Sequence, residues 1–223
     1  MHVEYKSNKM KIAFKDIKGL LEDSFFEIRY LGKEAIKQRI LPINRYSQTP
    51  DNFHFINWIE NDNQAVIEYS FLSTEIGKLL IANTSKGICF LGFACNGDEE
   101  LREDFMRRFP NNRFKEQTND FQRLAVEFCN GDNSLTMPLH LKGTAFQVAI
   151  WKQLVRIPEG RLSTYGSLSD EPGAAKAIGS AVGANPVSYI IPCHRIVKRD
   201  GNIQGYHWGG EIKRQLLCYE LQQ

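Results

Sequence analysis

The sequence predicts an α+β protein in which a small sheet-containing domain precedes a helical domain that carries the reactive residues. Its 223 residues, 42% of them hydrophobic and 24% charged, suit a globular chain of two modest domains. Short β-branched and aromatic runs fall between positions 66 and 93, where turn residues separate them. Two short helical segments around a turn, and then an adjacent cysteine and histidine, follow in the last third of the chain.

The composition indicates a protein of the reducing cytoplasm. The sequence has no apolar run of membrane-spanning length and no charged-then-apolar signal segment at its start. Its cysteines are odd in number, irregularly spaced and without a CxxC pair, which argues against a disulfide framework and a zinc ribbon. We therefore expect reduced thiols and no bound metal. The cysteines are Cys89, Cys95, Cys129, Cys193 and Cys218, and the first three are expected in the core.

Charge is unevenly distributed along the chain. Residues 141–223 contain 10 Lys and Arg against 6 Asp and Glu, a net charge of +4. Residues 1–140 contain the remaining 18 and 20, a net charge of −2. The C-terminal part is therefore better suited to a polyanion, although a bias this mild does not identify a DNA-binding protein.

Residues 1–65 are predicted to form an N-terminal extension of unknown role. Lys9–Phe25 has apolar residues at roughly helical spacing, and Tyr30–Ile40 has a shorter pattern of the same kind. Prolines at 42 and 50 and a polar stretch at 61–64 place a boundary near residue 65.

Residues 66–140 are predicted to form a supporting domain of strands and helices. Val66–Leu72, Lys78–Ala82 and Ile88–Phe93 have the composition of strands. Asp98–Phe109 and Asp120–Cys129 have one apolar helical face each.

Residues 141–223 are predicted to form a domain with a helix-turn-helix pattern. A helix that begins near Phe146 ends before Pro158, and a very short helix follows from Thr164 to Ser169. The next helix, Ala174–Ala184, has a face made almost wholly of Ala, Gly and Ser. Such a face allows either tight packing on a neighbouring element or entry into a narrow nucleic-acid groove.

The segment Ile190–Val197 places Cys193 and His194 side by side between apolar pairs, with Pro192 in front and Arg195 behind. Such a buried thiol is either a packed small hydrophobe or a nucleophile with a base beside it. The pair alone is weak evidence, because adjacent residues of a strand point to opposite faces. A glycine-rich aromatic loop at 205–210 and a last helix, Glu211–Leu221, complete the domain.

From about residue 66 to the end, these motifs resemble the O6-alkylguanine-DNA alkyltransferases, also called methylated-DNA–protein-cysteine methyltransferases. The resemblance is carried by Pro192-Cys193-His194-Arg195, with Asn185-Pro186 ahead and Tyr206-x-Trp208-Gly209 behind. It implies a ribonuclease-H-like domain followed by a winged helix-turn-helix-like domain that carries the thiol. It also implies single-turnover, irreversible transfer of an alkyl group from guanine O6 in duplex DNA, with O4-alkylthymine as a second candidate substrate and no cofactor.

The resemblance also assigns the catalytic roles. Cys193 would accept the alkyl group, and His194 would act as its base through a water, oriented by Glu220. Asn185 would brace the turn that holds the active-site loop around Cys193. Tyr165 would lie near the phosphate that rotates as the base flips out, and would protonate the departing guanine.

Substrate and DNA contacts follow from the same resemblance. A flipped base would rest against Tyr206 and near Trp208, with Val182 as an apolar wall and the backbone at Cys193 and Ile196 reading its amine edge. The small-residue helix would enter the minor groove of double-stranded DNA, bound by a monomer. The predicted DNA contacts are Ala174, Ala175, Lys176, Ala177, Gly179, Ser180, Gly183 and Arg195.

Two features depart from the family pattern. Lys176 stands where the family usually has an arginine that takes the place of the extruded base, and a lysine lacks the planar, stacking guanidinium. The segment between Tyr165 and the next helix is also shorter than usual. Slower or weaker base extrusion is the expected result of Lys176, and a shift in the position of Tyr165 is the expected result of the shortened segment.

Two other classes of protein were compatible with parts of the sequence. A cysteine hydrolase would place its cysteine near a helix N-terminus and its histidine far away, whereas the helix here ends before Cys193. A non-catalytic protein that recognises alkyl damage, or a regulatory DNA-binding protein, would keep the helix-turn-helix without transferring the alkyl group.

Overall fold

The computed structural model describes residues 33–46, 49–169, 171 and 173–221, so the predicted helix at Lys9–Phe25 lies outside the described residues. The helices are α1 (Lys33–Lys37), α2 (Asp98–Arg108), α3 (Asp120–Cys129), α4 (Ala145–Leu154), α5 (Ala175–Gly183) and α6 (Gly210–Leu221). The strands are β1 (Phe53–Asn57), β2 (Val66–Thr74), β3 (Gly77–Thr84), β4 (Gly87–Phe93), β5 (Arg113–Glu116), β6 (Met137–Leu141), β7 (Ser163–Thr164) and β8 (Ile196–Val197). Short 3-10 helices occupy Ile43–Arg45, Glu60–Gln64, Tyr165–Ser167 and Cys193–Arg195.

The larger sheet is mixed and has the strand order β1-β6-β4-β3-β2-β5. Strands β2, β3 and β4 form an antiparallel meander, whereas the pairs β1–β6, β4–β6 and β2–β5 are parallel. Residues of β3 and β4 are divided between two core clusters, one with α2 and the other with α3 and the C-terminal helices. The central strands are thus covered on both faces, which explains why they read as continuous apolar runs.

The strands and helices predicted between residues 66 and 129 are confirmed to within three residues at each end. Strands β1, β5 and β6 were not predicted, and β1 adds part of the N-terminal extension to the sheet. Cys89 and Cys129 lie in the core as expected, but Cys95 is exposed, so its prediction as a core residue is wrong.

The C-terminal helices pack on the sheet through the larger core cluster. Helix α4 begins with a capping box, in which Thr144 and Gln147 exchange hydrogen bonds between side chain and backbone. The indole Nε1 of Trp151 donates to the Ala181 carbonyl at 2.8 Å and so ties α4 to α5. The predicted short helix after Thr164 is a single 3-10 turn, Tyr165–Ser167.

The segment before Cys193 is attached to the central strand of the sheet. Leu91 in β4 donates its amide to the Pro186 carbonyl at 2.9 Å, and its carbonyl accepts from the Ser188 amide at 3.0 Å. Because β4 is fully buried, this pair of bonds gives the cysteine loop a rigid support.

Residues 33–46, which we call the strap, run across the C-terminal half of the chain. Ile40 bridges to Leu162 in a parallel arrangement, and the Leu41 amide donates to the Leu162 carbonyl at 3.0 Å. Strand β7 follows directly and pairs with β8, just after the cysteine turn. The strap is therefore joined through β7 and β8 to the segment that holds Cys193.

Across the part of the chain described here, no helix has both the length and the apolar character needed to cross a membrane.

Candidate active site

Cys193 opens the 3-10 turn Cys193–Arg195, immediately after Pro192. The side chain is buried, with 5% of the residue exposed, and its amide donates to the Ile191 carbonyl at 2.8 Å. Burial raises the pKa of the Cys193 thiol, against the opposing effects of Asn185, Lys213 and Tyr206. The resting group is therefore a thiol at neutral pH and needs a base before it can act as a nucleophile.

Asn185, which follows α5, holds the turn that leads to the cysteine. Its amide nitrogen donates to the Ile191 carbonyl at 2.8 Å and to the Cys193 sulfur at 3.0 Å, and its oxygen accepts from the Val187 amide at 3.0 Å. The hydrogen bond to sulfur favours the thiolate over the thiol. Asn185 thus braces both the backbone and the sulfur.

His194 and Glu220 form a buried pair between the cysteine turn and helix α6. Nε2 of His194 lies 2.6 Å from Oε1 of Glu220, and neither side chain is more than 1% exposed. Burial lowers the pKa of His194 despite the raising effect of Glu220. Burial alone would raise the pKa of Glu220, but the charges and hydrogen bonds of His194 and Arg195 lower it to about 2.

The pair fixes the tautomer of the imidazole. An ionised Glu220 accepts a hydrogen bond from the Nε2–H group of His194, which leaves Nδ1 of the neutral imidazole free to accept a proton. Nδ1 is buried and has no hydrogen-bond partner among the described residues. His194 is therefore arranged to accept a proton at Nδ1 while Glu220 stabilises the imidazolium that results.

Arg195, which is predicted to contact DNA, makes its hydrogen bonds within the protein in this structure. Its guanidinium donates to both oxygens of Glu220, at 2.8 to 3.1 Å, and to the Ile157 carbonyl at 2.6 Å. With 14% of its side chain exposed, Arg195 is directed into the protein and serves to keep Glu220 ionised.

A narrow cavity leads to the Cys193 sulfur. Its walls come from the 3-10 turn at Tyr165, one side of α5, the Asn185–Ser188 segment and the loop Gly205–His207. Its volume is about 20 Å³, enough for one water molecule and far too small for a nucleobase. Val182, Gly179 and Gly183 line it from α5.

Two tyrosines predicted for the site line this cavity on different sides. Burial, and then the nearby Cys193, raises the pKa of Tyr165. The same two causes, with burial the larger, raise the pKa of Tyr206 well above its usual value. Both phenols therefore keep their protons at neutral pH, so each can donate a hydrogen bond toward the cavity.

Two predicted substrate contacts do not line the cavity. Trp208 instead packs against Gly92 of β4, and its indole Nε1 donates to the Ser188 hydroxyl at 2.6 Å. Ile196 is fully buried, and its carbonyl accepts a hydrogen bond from Nζ of Lys213. Trp208 therefore fixes the aromatic loop to the sheet. The Ile196 carbonyl already accepts one hydrogen bond, from Lys213.

Lys213 and Tyr189 belong to the site but were missed in the sequence. Lys213 is 1% exposed, and burial lowers its pKa to about 8 while Cys193 raises it. Tyr189 has a φ of 69°, a strained value for a residue with a β-carbon, and its ring stacks on His194 with centroids 5.5 Å apart. Lys213 has the spacing of the apolar positions of its helix, and this could have indicated a buried lysine. Nothing in the sequence indicated a role for Tyr189.

Helix α5 presents its small residues to the surface. Ile178, Ala181 and Val182 are its buried positions. Apart from the nearby backbone of α5 itself, no described atom lies within 4 Å of a β-carbon placed at Gly179 or Gly183, so packing against other elements does not require these glycines. Of the predicted contacts, Ala174 and Gly179 are half-buried, and the exposed ones are Ala175, Lys176, Ala177, Ser180 and Gly183.

In the described part of the chain, no group of three or more His, Cys, Asp or Glu side chains could hold a metal ion.

Comparisons with known proteins agree with this geometry. Residues 145–222 match the family model described as 6-O-methylguanine DNA methyltransferase, DNA binding domain. The inducible methylated-DNA–protein-cysteine methyltransferase of Bacillus subtilis is 35% identical over 165 residues, which cover 71% of this chain and 92% of that protein. The methylated-DNA–protein-cysteine methyltransferase of Haemophilus influenzae is 40% identical over 162 residues, 68% of this chain and 85% of that protein.

A longer relative and a solved structure are also similar. The regulatory protein Ada of Salmonella typhimurium is 36% identical, but the match covers only 47% of its length and 72% of this chain. The crystal structure of Mycobacterium tuberculosis OGT in complex with DNA superimposes with a TM-score of 0.56 at 30% identity, over 70% of this chain and 93% of that chain.

Proposed function

The chain belongs to the methylated-DNA–protein-cysteine methyltransferase family, and on that premise we propose that Cys193 is the residue that takes the alkyl group from DNA. The protein is a DNA-repair methyltransferase with DNA as its partner. The observation that carries the assignment of Cys193 is the buried thiol bonded by Asn185, with the His194–Glu220 pair directly after it in the chain.

The proposed substrate is O6-alkylguanine in duplex DNA, with O4-alkylthymine as a second candidate. The sulfur attacks the alkyl carbon, the carbon–oxygen bond breaks, and guanine O6 keeps the electron pair. Tyr165, which lines the cavity and keeps its proton at rest, donates that proton to the departing base, and the phenolate then takes up the proton that His194 removed from the thiol, through water. The thioether on Cys193 has no route back to a thiol in this reaction, so each molecule acts once.

Activation of the thiol is assigned to His194. A water between Cys193 and Nδ1 of His194 would carry the thiol proton to the imidazole, whose charge Glu220 then balances. Lys213 supports the same step, because its ammonium favours the thiolate at Cys193.

Entry of the base requires the cavity to open. A volume of about 20 Å³ does not admit guanine, so the loop Gly205–His207 and helix α5 must separate as the flipped nucleotide enters. Tyr206 then forms one wall of the open pocket, with Val182 opposite. The backbone at Cys193 and Ile196 would read the amine edge of the base.

DNA is proposed to bind along the exposed face of α5 through its minor groove. The open space at Gly179 and Gly183 supports this, since the small residues are not needed for packing against other elements. Lys176 lies on the same face and would occupy the position that the base leaves.

The remaining assignments are part of the same proposal. Residues 1–65 form an extension, residues 66–140 a ribonuclease-H-like support and residues 141–223 the winged helix-turn-helix-like catalytic domain. The protein acts as a monomer in the cytoplasm, where its unpaired cysteines stay reduced.

Mass spectrometry of the intact protein and its peptides tests the proposal. After incubation with a duplex that carries one O6-methylguanine, Cys193 should gain a single methyl group in place of its proton, and Cys193→Ala should gain none. Tight binding of the lesion without any gain in mass would instead indicate a protein that recognises damage without repairing it.

A further inference from the structure

A groove on the surface lies beside the cavity and is shared between the strap and the helix-turn-helix. One wall consists of residues Pro42–Asn44 of the strap, and the other of Thr164 and residues 166–169, with Gln153 and Arg199 at the edge. Its volume is about 570 Å³, and no acidic side chain lines it among the described residues.

The groove and the Cys193 cavity are adjacent. Tyr165 lines the cavity, whereas its neighbours Thr164 and Gly166 line the groove, so one 3-10 turn forms the wall between the two. A DNA strand that leaves the cavity past Tyr165 would therefore reach the groove, and with it the strap.

The charge of this region favours a polyanion. The strap has four basic residues and one acidic residue, a net charge of +3. Arg45 and Arg199 are exposed, and neither side chain makes a hydrogen bond or ion pair with any residue that the structure describes. The guanidinium of Arg199 reaches to 4.0 Å from a β-carbon placed at Gly166, directly over the shared turn.

The position of the strap is fixed rather than incidental. The Ser163 hydroxyl donates to the Leu41 carbonyl at 2.7 Å, Tyr46 donates to the Leu162 carbonyl, and Arg156 donates to the Tyr46 carbonyl at 3.3 Å. These bonds attach both ends of the segment 41–46 to residues 156–163, so Asn44, which lines the groove, and the adjacent Arg45 lie in a segment that is held at both ends.

We propose that the strap extends the DNA-binding surface, and that the groove between residues 42–44 and 164–169 receives the phosphodiester backbone of the duplex beside the alkylated nucleotide. This inference rests on the proposed function. The phosphates would meet the Arg45 and Arg199 guanidinium groups and the hydroxyls of the turn, which are contacts without sequence preference. The N-terminal extension would then increase the affinity for DNA and the length of DNA that is contacted, without taking part in alkyl transfer.

Equilibrium binding to a lesion duplex tests the inference in the full-length protein, with Cys193→Ala as the background so that binding is measured without transfer. Asn44→Asp places a carboxylate in the groove at almost constant size, and we expect about three- to tenfold weaker binding at moderate salt. Arg45→Ala should reduce the slope of log affinity against log salt by about one.

Two variants on the supporting domain provide matched controls. Asn111→Asp makes the same change in charge at an exposed turn, and Arg123→Ala removes an exposed arginine from α3. Both should bind the duplex as the background protein does. Equal affinities for Asn44→Asp and Asn111→Asp, whether both normal or both weakened, would overturn the proposed role of the strap.

The same variants with Cys193 intact separate this inference from the proposed function. Methyl transfer from the free base O6-methylguanine should be unchanged by Asn44→Asp, because the groove is not needed for that reaction. If the unsubstituted protein takes no methyl group from the lesion duplex, the proposed function fails, whatever the strap variants do.

Discussion

Glu220 on the last helix lies 2.6 Å from His194, so the C-terminal element of the chain completes the base beside the candidate nucleophile. The same carboxylate receives the guanidinium of Arg195. The buried carboxylate of Glu220 therefore orients the imidazole of His194 and balances the charge of Arg195. The turn Cys193–Arg195 depends on helix α6 for both its geometry and its stability.

The first prediction concerns Glu220→Gln. Loss of the carboxylate leaves the guanidinium of Arg195 without a counter-charge in a buried site, and we expect about 3–5 kcal/mol less stability toward urea. Glu211→Gln, at an exposed position on the same helix, is the control and should change stability by at most about 0.5 kcal/mol. Equal urea midpoints for the two variants would contradict the structural role of Glu220.

The second prediction concerns the dependence of stability on pH. The pKa of Glu220 is about 2 in the folded protein, below the ordinary value of 4.5 that holds after unfolding. Its contribution, roughly 3 kcal/mol, is therefore fully present above pH 4.5 and is lost as the pH falls toward 2. Urea unfolding at a series of acidic pH values should show a steeper loss for the natural protein than for Glu220→Gln. If the two proteins lost stability in parallel as the pH falls, Glu220 would not be the source of the pH dependence.

The third prediction concerns Lys213→Met. Removing the ammonium takes away a charge that favours the Cys193 thiolate, so the pKa of Cys193 rises and transfer should be roughly tenfold slower at neutral pH. Because the pKa of Lys213 is about 8, the difference should shrink as the pH rises above 8 and the natural side chain loses its own charge. Rates of methyl transfer across this range provide the measurement, with Lys152→Met as the control. A constant ratio at all pH values would indicate a packing defect instead.

The fourth prediction concerns Lys176→Arg. A guanidinium can stack in the space that the flipped base leaves, which is worth about 0.5–1 kcal/mol, and we expect roughly two- to fivefold faster transfer from duplex DNA. Transfer from the free base should not change, since no base has to be extruded. Lys115→Arg, on the edge strand β5, controls for the substitution itself. Faster reaction with the free base as well would show that the effect is not on extrusion.

Sequence reasoning reached the parts of this site that lie close together in the chain. Asn185, Pro192–Arg195 and the aromatic loop at 205–210 follow one another within 26 residues, and Asn185, Cys193 and Gly205–His207 of this stretch line one cavity. The sequence does not indicate contacts that depend on residues far apart in the chain. Arg195 was assigned to DNA because nothing in its neighbourhood indicates that Glu220 and the Ile157 carbonyl converge on it.

Long-range pairing also explains what was missed in the fold. Strand β1 is short, lies among turn-forming residues, and pairs in parallel with β6, a partner far along the chain. Neither strand has a local pattern that reveals the other. The meander β2–β4 was predictable because its hairpins are closed by nearby turn residues such as Gly77, where φ is 118°.

The contact between Trp208 and Gly92 links the sheet to the cavity at Cys193. A β-carbon placed at Gly92 would lie 2.7 Å from the indole of Trp208. The absence of a side chain at Gly92 therefore determines how closely Trp208 packs on the sheet, and with it the position of the loop Gly205–Gly209. A side chain in place of Gly92 should therefore displace Trp208 and, with it, the loop that lines the cavity at Cys193. The dimensions of that cavity thus depend on a strand that does not line it.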